Sequence, residues 1–334
     1  MMKRIRIAVV GPGRISRAHL VAIRNNPELV ELAAVVGLPH ERERTAALAA
    51  EFGAAAAVDD LALALADPET DAVVLTVPNH LHRELAVQAL RAGKHVLVEK
   101  PLANTLEDAD AMIAAARAAV RVLMVAQCRR FFPAAQEARR RVEDLGRPLD
   151  VTQVLGVSVD AVKTDWWRSA AKTGGLALGL NGPHVVDTML WLLGEKPVRV
   201  YAQASRLKPQ QWEGEDQATV VLTFADGSTA TGHVSLNMKP DTNERWIVGP
   251  RGTMQLTHDR TLVVDGERIV EGKLTAYVDG DESFDGQLRE FATAIREGRQ
   301  PLSSALEARP VVEVLAAALQ SAASGLPVAL GSRP

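Results

Sequence analysis

The feature that most restricts the fold is an alternation in the first third of the chain. Five short β-branched runs, "RIAVV", "LAAVV", "AVVLTV", "HVLVE" and "RVLMV", alternate with Ser16–Asn26, Glu41–Phe52, His82–Ala92 and Leu106–Ala119. Apolar residues in the latter recur at about the 3.6-residue helical period. Strands alternating with helices form parallel βαβ units with right-handed crossovers. Helix punctuation agrees: Gly93 is placed to end the third helix, and Thr105 with Asp108 to open the fourth.

After about residue 126 the texture changes. "DVTQVLGVSV", "VRVYAQASRL", "QATVVLTF", "TATGHVSLN" and "RWIVG" are extended segments. "ADGS" at Ala225–Ser228 predicts a hairpin, with Asp226-Gly227 able to take the positive φ of such a turn. Helices are expected at Phe284–Glu297 and Ser303–Ala323. The 334 residues thus read as two domains, 1–125 and 126–334. The fold class is α/β: a parallel-sheet domain, then an α+β domain on a large, mainly antiparallel open sheet.

Composition excludes several functions. Hydrophobic residues at 47% supply two cores, while 24% charged residues and a net charge of −3 lack the basic excess of bulk nucleic-acid or membrane-surface binding. Cys128 is the only cysteine, which leaves no intrachain disulfide or cysteine zinc site and makes it a small core residue. The apolar run Ile5–Val10 contains Arg6 and lacks a small-residue cleavage site, and no uncharged apolar run reaches ~18 residues. The expected setting is reducing and cytoplasmic.

"VVGPGRIS" places Gly11 and Gly13 after the first strand and before a helix, as a dinucleotide site requires. The first glycine permits a tight turn and the second lets backbone approach a pyrophosphate. Arg14 and Ile15 then enter the helix, whose N-terminus offers N–H groups and positive dipole. Ser16 replaces the third glycine and is small enough for close packing. The acid that normally holds the adenosine ribose belongs at the end of the second strand, where Gly37 stands. Its loss removes repulsion toward a 2′-phosphate, which His40, Arg42 or Arg44 are placed to approach. Those basic residues otherwise form a solvated helix face. The cofactor expected is NADP or NAD, with a slight lean to NADP.

The chain resembles the Gfo/Idh/MocA oxidoreductases, through "GPGRIS", "VPNHLH", "AGKHVLVEKPLA", "RRFFP", "WWR", "GGLALGLNGPHVVD" and "EFATAIREG" in the family's order over nearly the whole length. The resemblance implies a Rossmann domain followed by a domain whose open sheet often joins subunits, here as a homodimer or homotetramer. It implies hydride transfer between a nicotinamide and a sugar, inositol or related polyol. Lys100 matches the family's active-site lysine, His184 its histidine, and Pro78 and Asn79 the segment along the cofactor. The family's aspartate four residues before the histidine is replaced by Leu180, with Asn181 next to it.

The residues support that chemistry independently. Val96–Val98 delivers Glu99 and Lys100 to the carboxyl end of the sheet, where ligands gather, and Pro101 fixes the chain beyond them. A lysine desolvated beside a cationic ring can take or return a hydroxyl proton. Otherwise Lys100 only pairs with Glu99 at a strand end. Glu99 accepts hydrogen bonds from backbone or ribose, or serves as that ion-pair partner. Pro183 suits a first helical position, which puts His184 in a first turn where the dipole favours neutral imidazole. Asp187 either orients it or faces solvent. Trp166, Trp167 and Arg168 form a sugar-binding wall or, for Trp167, core. Arg129 and Arg130 point into the same crevice or only bridge domains. His80 and His82 flank the cofactor loop; no third ligand has metal spacing. Two alternatives stand beside a dehydrogenase: a redox-assisted lyase or glycosidase that retains its nicotinamide, and a nucleotide-binding regulator that has lost catalysis.

Overall fold

The computed structural model describes residues 3–276, 278 and 280–331 and separates into two compact units. The first comprises Met1–Ala103, Glu107–Phe131 and Thr275–Arg309; the second comprises Asn104–Leu106, Phe132–Leu274 and Pro310–Pro334. No helix among the described residues is long and apolar enough to cross a membrane.

In the first unit, β1 (Ile5–Val10), β2 (Val30–Val36), β3 (Ala56–Val58), β4 (Ala72–Leu75), β5 (His95–Glu99) and β6 (Leu123–Ala126) form one parallel sheet. Its order is β3-β2-β1-β4-β5-β6. The connecting helices are α1 (Ser16–Asn25), α2 (Arg42–Phe52), α3 (Leu61–Ala66), α4 (His82–Arg91) and α5 (Leu106–Ala119). The strand order reverses between β1 and β4, the switch point at which such sheets bind ligands. β4 is buried throughout and β1 and β5 nearly so, because helices cover both faces. This explains why they read as unbroken apolar runs. β3 and α3 are not legible in the sequence: one is short and mostly exposed, the other has under two turns of period.

The second unit holds α6 (Pro133–Arg141), β7 (Asp150–Ser158), α7 (Ala170–Thr173), α8 (Ala177–Leu180), α9 (Gly182–Leu193), β8 (Arg199–Ser205), β9 (Gln217–Thr223), β10 (Thr229–Ser235), β11 (Asn237–Gly249), β12 (Gly252–Thr257), β13 (Thr261–Val264) and β14 (Glu267–Val270). The chain ends through α10 (Glu282–Glu297), α11 (Ala305–Ser324) and β15 (Val328–Ala329). The nine strands run β14-β13-β12-β11-β7-β10-β9-β8-β15, and every neighbouring pair is antiparallel except β7 with β10. Along β9 and β10 buried and half-buried residues alternate, so one face packs and the other stays open. α9 lies on the packed face, where a Cβ at Gly232 would collide with Val185. The hairpin forms as expected, with the positive φ on Gly227 at 87°.

One boundary differs from the sequence expectation. α10 belongs to the first unit, not to a single domain spanning 126–334, because Phe284, Leu288 and Phe291 complete a core with Ile7, Leu20 and Ile23. A helix goes where its apolar stripe is covered.

Candidate active site

The carboxyl edge of the first unit's sheet gathers the residues expected to meet a cofactor. Gly11 follows β1 at φ +92°, where a Cβ would stand 2.8 Å from the Thr76 carbonyl oxygen. Glycine is required there. The Thr76 hydroxyl lies 2.8 Å from the Val10 carbonyl and 2.7 Å from that of Gly11, and so stitches the loop after β4 to the loop after β1. Gly13 is different: the nearest atom to a Cβ there is the same Thr76 oxygen at 3.9 Å, so its backbone faces open space. Ser16 is buried, and its hydroxyl donates to the Gly13 carbonyl at 2.6 Å, bracing the turn from within. Arg14 and Ile15 lead into α1, whose first turn directs N–H groups and dipole toward this loop. The cradle fits a dinucleotide pyrophosphate.

Packing explains the missing ribose acid. A Cβ at Gly37 would run into the Thr45 hydroxyl and stand 3.2 Å from Pro12 Cγ, while Thr45 donates to the Glu41 carbonyl at 2.9 Å. Arg42 is paired with Asp59, and His40 is exposed in the turn Pro39–Glu41. Arg14, Arg17 and Arg44 line, with Pro12 and Gly13, a cleft of ≈ 450 Å³. Asn79, after Pro78, is buried. His82 is buried, with both ring nitrogens close to backbone carbonyls. Its Nδ1 meets the Pro101 carbonyl at 2.8 Å and its Nε2 the Val77 carbonyl at 3.1 Å. Burial lowers its pKa, opposed by those carbonyls, so the ring is neutral and donates its single N–H to one of them while the other nitrogen only packs beside the second. Among the described residues, no group of three His, Cys, Asp or Glu side chains is placed to hold a metal.

Glu99 closes β5 and Lys100 follows it at the same edge. The Lys100 N–H donates to Glu99 Oε2 at 3.1 Å, and Glu99 Oε1 lies 2.8 Å from His19 Nε2. Burial raises the Glu99 pKa, but the bond and charge of His19 and the charge of Lys100 outweigh it and leave the carboxyl below its ordinary value. Lys100 itself is half-buried. Burial lowers its pKa, with Glu99 opposing and Arg129 assisting, so the amine loses its proton more readily than an ordinary lysine. Neighbouring Cys128 is inert, its thiol pushed up to about 12 by burial. Arg130 is buried and donates to the Leu302 carbonyl at 2.7 Å, a contact within the first unit.

In the second unit, Asn181 precedes α9 and His184 stands half-buried in its first turn, with Pro183 at the helix start. Below it lies a buried network that no sequence signal reveals. Thr188 Oγ1 lies 2.7 Å from the His184 carbonyl and 3.0 Å from Arg245, whose guanidinium also meets Gln153 and Asp259 at 3.0 Å. The partners lie on α9, β7, β11 and the turn after β12, as many as 92 residues apart. Asp187 is buried, which rules out the solvent-facing alternative. Leu180 ends α8 within the unit's apolar core. Trp166 and Trp167 meet edge to face at 6.2 Å, half-buried against that core, and exposed Arg168 donates to the Gln211 carbonyl at 3.2 Å.

Known proteins place this architecture. Residues 5–127 match the model of an oxidoreductase family with an NAD-binding Rossmann fold, and residues 135–255 match the Gfo/Idh/MocA C-terminal domain. The chain is 30% identical to a 4-carboxy-2-hydroxymuconate-6-semialdehyde dehydrogenase of Sphingobium, over 90% of this chain and 93% of that protein. It is 26% identical to a Bacillus subtilis scyllo-inositol 2-dehydrogenase (NAD(+)), over 99% and 97%. A solved levoglucosan dehydrogenase, in complex with NADH and levoglucosan, superposes with a TM-score of 0.89 at 25% identity, covering 99% of this chain and 100% of that one. The loop after β1, the switch-point sheet and these matches agree: the chain belongs to the Gfo/Idh/MocA family and is an oxidoreductase built to transfer hydride with a nicotinamide dinucleotide.

Proposed function

We propose that the protein oxidises a CH–OH group, or reduces the matching carbonyl, on a sugar, inositol or related polyol, with Lys100 as acid/base. The observation that carries this reading is a half-buried amine of lowered pKa on a strand end, next to a cofactor-ready loop. The nicotinamide, when bound, supplies hydride acceptance or return. Lys100 takes the hydroxyl proton during oxidation and gives it to the carbonyl oxygen during reduction. Buried His82 packs between the Val77 and Pro101 carbonyls of the two loops at this edge. His184, on a helix braced by Arg245, is proposed to hydrogen-bond a substrate hydroxyl, with Asn181 beside it and Trp167 and Arg168 as further substrate contacts. The sugar class is supported by the scyllo-inositol and levoglucosan dehydrogenases; the semialdehyde dehydrogenase widens it to other small oxygenated substrates.

The cofactor preference proposed is NADP over NAD. Gly37 leaves no carboxylate to repel a 2′-phosphate, and Arg14 and Arg44 stand on the cleft beside Gly13. The open face of the second unit's sheet, with Trp246 44% and Val248 43% exposed on β11, is the proposed contact of a homo-oligomer. A single cysteine suits a reducing, cytoplasmic setting. The test incubates the protein with NAD or NADP and a panel of sugars, inositols and keto-sugars while following reduced-nicotinamide absorbance. Turnover on a panel member is expected. Binding without turnover across the panel contradicts the reading.

A further inference from the structure

The acid that precedes the lysine has a second partner. His19 lies one turn into α1, the helix that follows the phosphate loop, and is 1% exposed. Its ring meets the Phe284 ring edge-on at 5.2 Å and 87°, which fixes its plane. Its Nε2 is 2.8 Å from Glu99 Oε1, and an ionised carboxylate only accepts, so Nε2 carries the proton. The other Glu99 oxygen accepts the Lys100 N–H. Glu99, itself 7% exposed, is therefore gripped by the helix on one side and by the lysine's backbone on the other. A histidine serving only as core filling needs no such carboxylate.

Resting on the reading of Lys100 as the acid/base, we propose that His19 is its positioning residue. By donating Nε2–H it fixes Glu99 as an anion beside the Lys100 backbone and ammonium, and it links the lysine to the helix that opens on the cofactor loop.

Among the groups that act electrostatically on Lys100 are Glu99, Cys128 and Arg129. Cys128 is a neutral thiol up to about pH 12, so of these three Glu99 is the anion that opposes burial and Arg129. Glu99 in turn answers to His19 and Lys100. Without the His19 donor, the largest of the contacts that offset the burial of Glu99 is gone. The carboxylate takes up a proton, the ammonium loses this counter-charge, and the amine titrates at lower pH.

The test reads the amine directly and needs no substrate. The full-length protein is labelled with acetic anhydride across a pH series, and the Lys100 peptide is followed by mass spectrometry. Glutamine carries its amide nitrogen to about the place of Nε2, whereas asparagine stops near Nδ1 and cannot reach Glu99. H19N is expected to lower the labelling midpoint of Lys100 by about one pH unit, and H19Q to keep it. E99Q is expected to reproduce the drop, and H19N to add nothing in the double variant. If H19N does not fold, E99Q and H19Q decide the matter by the same two expectations. A midpoint moved equally by H19N and H19Q, unmoved by E99Q or H19N, or lowered further in the double variant, overturns the proposal. Failure of the acid/base reading shows separately, as unchanged turnover in K100M, and leaves these midpoints as they are.

Discussion

Gly13→Ala separates cofactor binding from folding. In the free protein the added methyl meets nothing nearer than 3.9 Å, and the φ lies outside the left-handed range. Stability should hold or rise by about 0.4–1 kcal/mol, since alanine restricts the unfolded chain. The same methyl fills the space through which a pyrophosphate approaches the backbone. Losing one charge-assisted backbone bond costs about 1.5–3 kcal/mol, which is roughly a 10- to 150-fold rise in Kd. Gly11→Ala is the contrast. Its φ of +92° and the 2.8 Å approach to the Thr76 carbonyl oxygen strain the loop itself. About 2–4 kcal/mol of stability should disappear, in the range of backbone-strain mutations. NADH fluorescence titration gives the affinities and urea denaturation the stabilities. Wild-type NADH affinity in Gly13→Ala, or equal destabilisation by both substitutions, refutes the role assigned to this loop.

Other outcomes follow from the same geometry. Gly37→Asp should destabilise by about 1–3 kcal/mol, because its Cβ meets the Thr45 hydroxyl, and Thr45→Ala in the same chain should recover at least half in urea denaturation. Arg44→Ala should weaken NADPH about five- to tenfold and leave NADH within twofold by fluorescence titration, since only one of them carries a 2′-phosphate; equal losses sink the NADP preference. Trp246→Glu, on the open sheet face, should shift the mass measured by light scattering to that of one chain, whereas an unchanged oligomer moves the contact elsewhere.

Much of this was legible in the sequence because the signals are local. The βαβ alternation, the hairpin at Gly227 and the strand-end placement of Lys100 depend on residues close along the chain, and the structure reproduces them. Ser16 was legible as a small residue but not as the donor that braces Gly13. What escaped was long-range pairing. His19 looks like any polar residue on a helix until Glu99, 80 positions later, arrives beside it. Arg245 reads as an alternating strand residue, yet it is buried with Asp259 under α9. His82 and Arg130 read as polar residues near a loop, yet both are buried against backbone carbonyls, His82 beside those of Pro101 and Val77 and Arg130 as donor to that of Leu302. β12, β13 and β14 are short hairpin strands with weak alternation, so only their register with β11 defines them.

The central claim is that the Lys100 amine carries the substrate proton, and Lys100→Met tests it most directly. The measurement pairs NADH affinity with turnover on an alcohol found active in the panel. Methionine keeps the length of the side chain and removes the proton carrier. Affinity should stay within about threefold while turnover falls roughly 10²–10⁴-fold, the range of general acid–base catalysis. Turnover close to wild type with cofactor bound would contradict the account.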